Sequence, residues 1–436
     1  MASSAIERRT TRWQQQRWVL DAVIKAVGPE WDQGRIASKS KPGGETAEKD
    51  FRAAARRMRK FDDMHREFAS AARKRQARAK AFEDQGRFVS AGESYIAAAL
   101  LWASACWPIF EANETLHAYE EQMNACYAKF IKYAPHPIEK VEVPFGKSSL
   151  PGYLHLPRKP AAGEKFPCII SIGGMDGSKE NMVSIYGDRF LARGLAVLAI
   201  DGPGQAESAS RGIFFTPTNF GEAGLAIHKL LSGKKSIDIG KLAIRSSSFG
   251  SYFGSVASAA LGDKIKGYAV AGVCHEPGCH TIFNMASPTF KARFMFMSGY
   301  DDEAAFDRFC KTIDLRPFAP RIKAPYMVVA GENDQLSPIE HTEALFERIT
   351  APKRLVIYEG ANHSVADAPS VDNGDEKNSL IADWLLDRIN GKPFQSERVW
   401  VTSSGQAVVT PYGKAPAGKA KGGKAKAKPP TKRRKA

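Results

Sequence analysis

The 436-residue chain is long enough for a core of about 250 residues and a smaller second unit. Its formal charge of +16 owes much to the stretch Lys414–Lys435, which holds ten Lys and Arg and no acid. Gly, Ala and Pro separate these cations, so the tail cannot bury a core and is predicted to be disordered. The rest of the chain is only mildly basic, which argues against a nucleic-acid-binding domain and leaves any such role to the tail.

The N-terminal third is predicted to be helical. Glu93–Trp107 is apolar nearly all round, which indicates a buried helix, and a further helix is expected over Asn113–Tyr133. The first stretch contains Ser and Cys and runs into Pro108, so we reject a membrane span. Residues 1–135 are therefore expected to form a helical domain that acts as a lid. One amphipathic helix is predicted from apolar side chains at three- and four-residue spacing, at Phe51, Met58, Phe61, Met64 and Phe68.

From residue 136 onward, strand and helix candidates alternate. Most strand candidates are continuous apolar runs, which is typical of parallel strands covered on both faces. The pattern predicts an α/β fold with an eight-stranded, mostly parallel, doubly wound sheet over residues 136–395, followed by a basic tail at 396–436. The strand candidates are Val141–Phe145, Leu150–Leu156, Phe166–Gly173, Leu195–Asp201, Lys241–Arg245, Gly267–Val273, Tyr326–Ala330 and Arg354–Tyr358. The helix candidates between and after them are Lys179–Arg193, Gly221–Leu231, Ser251–Leu261, Pro338–Arg348 and Glu376–Ile389.

Three short segments follow strands of this sheet and carry complementary chemistry. Ser246–Gly250 offers a nucleophile, Gly331–Asp334 a carboxylate, and Gly360–His363 an imidazole. The carboxyl ends of parallel strands meet at one edge of the sheet, so these groups are expected to lie together. The order Ser, Asp, His is the one used by α/β-hydrolases. A catalytic triad of Ser248, Asp334 and His363 is therefore predicted.

The register of the nucleophile follows from sterics. The residues two before and two after the nucleophile lie where strand and helix backbones nearly touch, so both must be small. Ser248 places Ser246 and Gly250 in those positions, whereas Ser247 would place Phe249 in one of them. Ser246 stands where glycine is usual, and the alternative is a serine-rich strand end without catalysis.

The loop Gly173–Gly177 follows the third strand and is expected to line the site. An oxyanion hole of such enzymes combines the amide after the nucleophile with an amide of this loop. These donors would be Phe249 and Met175, and Gly174 would let the backbone approach the substrate. A plain tight turn is the alternative for the two glycines.

A cluster of Cys and His lies just after the sixth strand, at Cys274–His280. Its ligands are adjacent in pairs rather than spaced as in zinc fingers, so no metal is expected. Because the loop lies beside the nucleophile, His275 is a candidate for binding substrate. The six scattered cysteines and the lack of an apolar signal core in Met1–Arg17 predict a reduced, cytoplasmic protein.

The sequence resembles 2,6-dihydroxypseudooxynicotine hydrolase and the FrsA-like family, which are relatives of fungal polyketide-shortening hydrolases. The resemblance is carried by Gly173–Glu180, Asp201–Gln205, the serine segment, and the spacing of Asp334 and His363. The resemblance covers roughly residues 80 to 395. It implies an α/β-hydrolase core, a helical domain over the active site, a homodimer, and cleavage of a carbon–carbon bond beside a ketone. It also implies an additional acid in the Gly-Gly loop, which falls on Asp176, one methylene shorter than the glutamate of the family.

Asp176 has two interpretations. A carboxyl beside the oxyanion hole could protonate a leaving carbanion or hold a substrate hydroxyl. It could instead cap a helix that begins near Ser178. In contrast, Asp201 lies in a turn made rigid by Gly and Pro, so a structural role is expected for it.

Three functions remain open from the sequence. The first is hydrolysis of a carbon–carbon bond in a β-dicarbonyl or acyl-aromatic small molecule, and the second is hydrolysis of a small-molecule ester or amide. The third is binding or regulation without catalysis. None of the three needs a cofactor or a metal, and none requires a membrane partner.

Overall fold

The computed structural model describes residues 10–412. Its first part is helical, as predicted, and none of the helices within residues 10–412 combines the length and apolar character needed to cross a membrane. The helices of this part are α1 (Thr11–Val27), α2 (Arg35–Ser40), α3 (Gly44–Ala55), α4 (Asp63–Asp84), α5 (Phe88–Cys106) and α6 (Glu114–Tyr133).

The single amphipathic helix predicted through Phe51 and Phe68 is wrong, because the chain turns between α3 and α4. The turn is stabilised by Asp63, whose Oδ2 accepts hydrogen bonds from the amides of Arg59 at 2.9 Å and Lys60 at 3.1 Å. All of the apolar side chains behind the prediction are nevertheless buried. The spacing identified the buried face correctly, and a local side-chain bond broke the helix.

The second part is built on a ten-stranded sheet in the order β1-β2-β4-β3-β5-β6-β7-β8-β9-β10. The strands from β4 to β9 in that order run parallel, and the pairs β1–β2, β2–β4 and β9–β10 are antiparallel. The α/β fold and all eight strand candidates are thus confirmed. The strands are β1 (Ile138–Phe145), β2 (Ser148–His155), β3 (Phe166–Ile172), β4 (Ala196–Ile200), β5 (Ile237–Ser248), β6 (Tyr268–Val273), β7 (Tyr326–Gly331), β8 (Lys353–Tyr358), β9 (Glu397–Val401) and β10 (Ala407–Pro411).

Helices cover both faces of this sheet. One core includes side chains of α8 and α9, and the core on the opposite face includes those of α14. A third core fills the helical domain and continues into the second part through Tyr153, Ala292 and Phe296. The helices of the second part are α7 (Ala206–Ser210), α8 (Asn219–Ser232), α9 (Gly250–Leu261), α10 (Pro288–Ser298), α11 (Glu303–Cys310), α12 (Ile339–Arg348), α13 (Pro369–Asn373) and α14 (Lys377–Ile389).

The predicted start of the tail at residue 396 is wrong. β9 pairs in parallel with β8 and buries Val399 and Val401, so the sheet extends beyond residue 395. The segment has only five residues, and its place beside β8 gives it the strand partner that so short a run needs. The basic stretch at 414–435 lies outside the described residues.

The helix predicted over Lys179–Arg193 is also wrong, since only short 3₁₀ turns form at Lys179–Asn181 and Leu191–Arg193. Polar side chains take over the backbone amides that a helix would use. Asp201 Oδ1 accepts from the amide of Lys179 at 2.7 Å, and Asp188 Oδ1 accepts from the amide of Leu191 at 3.0 Å. Such side-chain bonds compete with helix formation.

Candidate active site

Ser248 occupies a sharp turn between strand and helix. It is the last residue of β5, α9 begins at Gly250, and its φ of 54° lies in the left-handed region that side chains rarely adopt. A Cβ atom built on Gly250 would lie 2.7 Å from the carbonyl oxygen of Gly173, so this position accepts no side chain. The steric requirement used to choose Ser248 is therefore present in the backbone.

Ser246 fits where glycine is usual because its hydroxyl has a partner. Its Oγ lies 3.0 Å from the hydroxyl of Tyr268, which donates in turn to the carbonyl oxygen of Ser251 at 2.9 Å. Ser246 is fully buried, and this chain of hydrogen bonds satisfies its polar group. The departure from the usual motif is thus accommodated by a tyrosine on the neighbouring strand β6.

Ser248, His363 and Asp334 form a continuous hydrogen-bonded chain. Ser248 Oγ lies 2.8 Å from His363 Nε2, and His363 Nδ1 lies 2.8 Å from Asp334 Oδ2 and 3.0 Å from Asp334 Oδ1. The imidazole and the carboxylate are nearly excluded from solvent, at 4% and 6% exposure. This is the arrangement that lets an imidazole remove a serine proton while a carboxylate orients the ring.

The carboxylate and the imidazole are themselves held by their loops. Asp334 Oδ1 accepts from the amides of Leu336 at 2.8 Å and Ser337 at 3.0 Å. The amide of His363 donates to Gln335 Oε1 at 3.1 Å, so the loops after β7 and β8 are tied together. Sequence reasoning missed Gln335, and its position directly after Asp334 is the signal that points to it.

The predicted oxyanion donors border the nucleophile. A Cβ atom on Gly174 would lie 2.9 Å from Ser248 Cβ and 3.3 Å from the amide nitrogen of Phe249, so the Gly-Gly loop touches the turn that carries Ser248. Within residues 10–412, neither the amide of Phe249 nor that of Met175 donates a hydrogen bond. Among the described residues, both amides thus lack an acceptor, and the assignment of Phe249 and Met175 to an oxyanion hole stays a prediction.

Asp176 points toward the helical domain and does not cap a helix. Its Oδ1 accepts a hydrogen bond from Trp107 Nε1 at 2.7 Å, and its Oδ2 lies 3.7 Å from the guanidinium of Arg35. Ser178, two residues later, holds the N-cap position of the 3₁₀ turn that follows. The guanidinium of Arg35 also stacks on the Trp107 ring, 4.4 Å from its centroid. Asp176 thus links the Gly-Gly loop to the helical domain.

A small cavity of about 30 Å³ lies between the helical domain and the second part of the chain. Asp176 lines it, together with Trp107, Glu120 and Arg293. Burial raises the pKa of Glu120 to about 7, so this wall changes charge near neutral pH. The same loop that brings Gly174 against Ser248 carries Asp176 to the wall of this cavity.

The ring of His275, a predicted substrate-binding residue, is buried within the protein. Its Nδ1 lies 3.1 Å from the hydroxyl of Thr342 and its Nε2 lies 3.3 Å from that of Tyr326, so both ring nitrogens are engaged inside the protein. Burial lowers the pKa of His275 to about 3. These contacts argue against a substrate-binding role for His275. Among the described residues, no group of three or more His, Cys, Asp or Glu side chains is arranged to hold a metal ion.

A fully buried ion cluster braces the loop behind the site, and sequence reasoning did not find it. Lys179 Nζ lies 2.7 Å from Glu207, 2.8 Å from Glu180 and 3.2 Å from Asp201. Burial opposes the charge of Lys179, yet the three carboxylates raise its pKa. For Asp201, burial itself raises the pKa, because burial disfavours the charged carboxylate. The structural role expected for Asp201 agrees with this position.

The fold and the arrangement of this site define the class: the protein is an α/β-hydrolase by fold. The chain belongs to the Esterase FrsA-like family, whose model matches residues 33–299. The family resemblance found in the sequence motifs is therefore confirmed, and the match begins earlier in the helical domain than the motifs do.

Curated relatives and solved structures agree with this assignment. Esterase FrsA of Yersinia pestis (strain Pestoides F) is 24% identical over 282 residues, which are 62% of this chain and 65% of that protein. Esterase FrsA of Photobacterium profundum is 24% identical over 143 residues, 33% of either protein. The chain thus spans less than two thirds of the length of these relatives.

Two solved structures share the fold at low sequence identity. The crystal structure of 2,6-dihydroxy-pseudo-oxynicotine hydrolase has a TM-score of 0.64 and 19% identity, covering 88% of this chain and 97% of that one. AbyA5 has a TM-score of 0.56 and 14% identity, covering 73% of this chain and 88% of that one. The first similarity extends over the helical domain as well as the sheet.

Proposed function

We propose that this protein is a serine hydrolase that cleaves carboxylic esters of small molecules by acyl transfer. The observation that carries the proposal is the hydrogen-bonded chain from Ser248 through His363 to Asp334, with Ser248 on a strained turn between strand and helix. Membership of a family named for an esterase supports the choice of substrate class.

The first half of the reaction acylates the enzyme. His363 Nε2 removes the proton of Ser248 as Oγ attacks the ester carbonyl carbon, and Asp334 stabilises the imidazolium that forms. The carbonyl oxygen becomes an oxyanion that accepts hydrogen bonds from the amides of Phe249 and Met175. The bond to the alkoxy group then breaks, and His363 gives its proton to the departing alcohol.

The second half releases the acid. A water molecule gives a proton to His363 and attacks the acyl-enzyme carbonyl, and the same two amides stabilise the second oxyanion. The bond to Ser248 Oγ breaks, Oγ regains the proton from His363, and a carboxylic acid leaves. The substrate, water and these residues supply every proton and electron pair that the two half-reactions need.

Hydrolysis of a carbon–carbon bond beside a ketone is the second candidate. It differs in its leaving group, a carbanion that must be protonated as it departs. Asp176 favours this candidate by its place in the Gly-Gly loop, at the wall of the cavity. Its contacts favour the first, because its carboxylate accepts from Trp107 and faces Arg35, the arrangement of a hydrogen-bond acceptor.

The proposal is tested by labelling the purified protein with a fluorophosphonate probe and by assaying aryl esters of increasing acyl length. We expect wild-type protein to be labelled, Ser248→Ala to be unlabelled, and its ester turnover to fall by roughly 10⁴–10⁶-fold. Ser247→Ala, one residue earlier on the same strand, is the matched control and should be labelled like wild type. Absence of labelling in wild type, or equal labelling of Ser248→Ala, would refute the proposal.

A further inference from the structure

Gln205 is a fully buried side chain that touches the Gly-Gly loop from behind. Its Nε2 donates to the carbonyl oxygen of Gly173 at 2.7 Å and to that of Gly174 at 3.1 Å. Its Oε1 accepts from the amide of Gly202 at 3.0 Å, which fixes which end of the side-chain amide faces the loop. Both amide hydrogens of Gln205 are thus used on two successive peptide groups of the loop.

Holding the carbonyl of Gly174 also sets the direction of the next amide. The C=O of Gly174 and the N–H of Met175 belong to one planar trans peptide group, in which they point in opposite directions. Because the oxygen of this group points to Gln205, the N–H of Met175 points away from Gln205. That N–H has no partner within residues 10–412, although Met175 is only 3% exposed.

One other hydrogen bond orients this peptide group, because the amide of Gly177 donates to the carbonyl oxygen of Gly174 at 3.4 Å, a longer contact than the bond from Gln205. Gly173 and Gly174 lack side chains, so their backbone rotates more freely than that of other residues. Gly174 must nevertheless lie against the nucleophile, since a Cβ atom there would come within 2.9 Å of Ser248 Cβ. Within residues 10–412, a rotation of the Gly174–Met175 peptide would break only the bond from Gln205 and the longer one from Gly177, and it would turn the Met175 amide away from the oxyanion.

We infer that Gln205 is a positioning residue of the oxyanion hole, which keeps the Met175 amide aimed at the carbonyl oxygen of the substrate. The inference rests on the proposed function and deepens it. Gln205 touches neither the substrate nor Ser248, and it acts through the carbonyls of Gly173 and Gly174. Its turn is rigid, because its own amide donates to the carbonyl of Gly202 at 2.9 Å.

Two substitutions separate this role from simple packing. Gln205→Met keeps most of the volume and removes both donors, and we expect kcat for an aryl ester to fall by about 10²-fold with KM nearly unchanged, because one oxyanion donor contributes that much. Gln205→Glu keeps the shape and can donate only when its carboxyl is protonated. The kcat of Gln205→Glu should exceed that of Gln205→Met, and their ratio should rise as the pH falls.

A second readout reports on the oxyanion hole itself. A hole built for oxygen discriminates against the larger sulfur of a thionoester, and we expect wild type to prefer the ester and Gln205→Met to lose most of that preference. Ser208→Ala is the matched control. Ser208 is fully buried in the same segment and donates to the carbonyl of Asp201 at 2.7 Å, but makes no bond to the Gly-Gly loop. Its thermal stability should fall while its kcat and ester preference remain those of wild type.

The outcomes distinguish this inference from the proposed function. If the wild-type protein shows neither probe labelling nor ester turnover, both the proposed function and the role of Gln205 are refuted. If the wild-type protein is active and the kcat of Gln205→Met lies within about threefold of it, only the role of Gln205 is refuted. The role is also overturned if Gln205→Met and Gln205→Glu have equal kcat at every pH, or if kcat falls while the ester preference stays unchanged.

Discussion

At the scale of single residues, the strained backbone of Ser248 requires support from its neighbours, and the hydrogen-bonded hydroxyl of Ser246 is part of that support. A left-handed φ at a residue with a side chain costs roughly 1–3 kcal/mol, and it persists only where the surroundings hold it. The close approach of Gly250 to Gly173 and the bond from Ser246 to Tyr268 supply that support. Ser248 could be selected as the candidate nucleophile because the sterics of the turn are local to five residues of sequence.

The role of Asp176 is a second question at this scale, and it decides between the two candidate reactions. In Asp176→Asn the hydrogen bond from Trp107 can remain while the charge facing Arg35 is lost. We expect the variant to hydrolyse an aryl ester within about threefold of wild type, because the triad alone performs that reaction. Turnover of a β-diketone, if wild type has it, should be lost, because the leaving carbanion then needs the acid.

The measurement is kcat/KM of both proteins on both substrates. Asp314→Asn, whose carboxylate pairs with Arg316 in a separate turn, is the control for a lost charge. Equal activity of Asp176→Asn and wild type on both substrates would count against a special role for Asp176.

At the scale of elements, most helices and strands agree with the patterns that predict them, and the misses share a cause. The helix expected over Lys179–Arg193 does not form because two carboxylates accept hydrogen bonds from its backbone amides. Asp188 lies within the segment, and Asp201 follows it in the chain. α3 and α4 separate for the same kind of reason at Asp63. A periodic pattern predicts which face is buried, but it does not predict which side chain will compete for an amide.

A hydrogen bond from a backbone amide to a side chain can also stabilise a helix when it lies at the N-terminus, and α14 allows a test of this. Glu376 caps this helix by accepting from the amides of Asn378 at 3.1 Å and Ser379 at 2.9 Å. Burial opposes its charge, but these amides outweigh burial and lower the pKa of Glu376 to about 2. A lowered pKa means that the ionised form stabilises the fold, fully above the unfolded pKa of about 4.3 and progressively less as the pH falls toward 2.

Glu376→Gln should therefore lower the free energy of unfolding by about 1 kcal/mol at pH 7. The difference from wild type should shrink between pH 5 and pH 3, as measured by thermal or urea unfolding at each pH. Glu121→Gln, at an exposed position within α6, is the control and should show no such dependence. An equal loss at pH 7 and pH 3 would show that the charge of Glu376 does not contribute.

At the scale of the whole molecule, the sheet is longer than the domain predicted from the sequence. β9 closes the edge of β8, and Val399 and Val401 are 7% and 4% exposed. Truncation after residue 395 would leave β8 as an exposed edge and remove both buried valines. Each buried valine contributes about 1.5–3 kcal/mol, so we expect an apparent Tm lower by roughly 10 °C, or aggregation through the new edge.

Truncation after residue 412 is the matched control, because it removes only residues outside the described part of the chain. It should leave the apparent Tm unchanged in the same thermal unfolding assay. If truncation after residue 395 is as stable as the control, β9 and β10 add nothing to the fold. Homodimer formation and a cytoplasmic location stay predictions at this scale.

The sequence by itself determined the fold class and the family and selected the residues of the proposed triad, because each depends on short-range patterns. Apolar runs define the strands, small residues define the turn at Ser248, and the loops after strands must share one edge. Only the tertiary structure decided what the remaining polar groups do. Trp107 reaches Asp176 from the helical domain, Gln205 holds the Gly-Gly loop, and His275 turns inward to Thr342 and Tyr326. These contacts join segments far apart in the chain, and a side chain's partner there depends on which backbones the packing of the cores brings together.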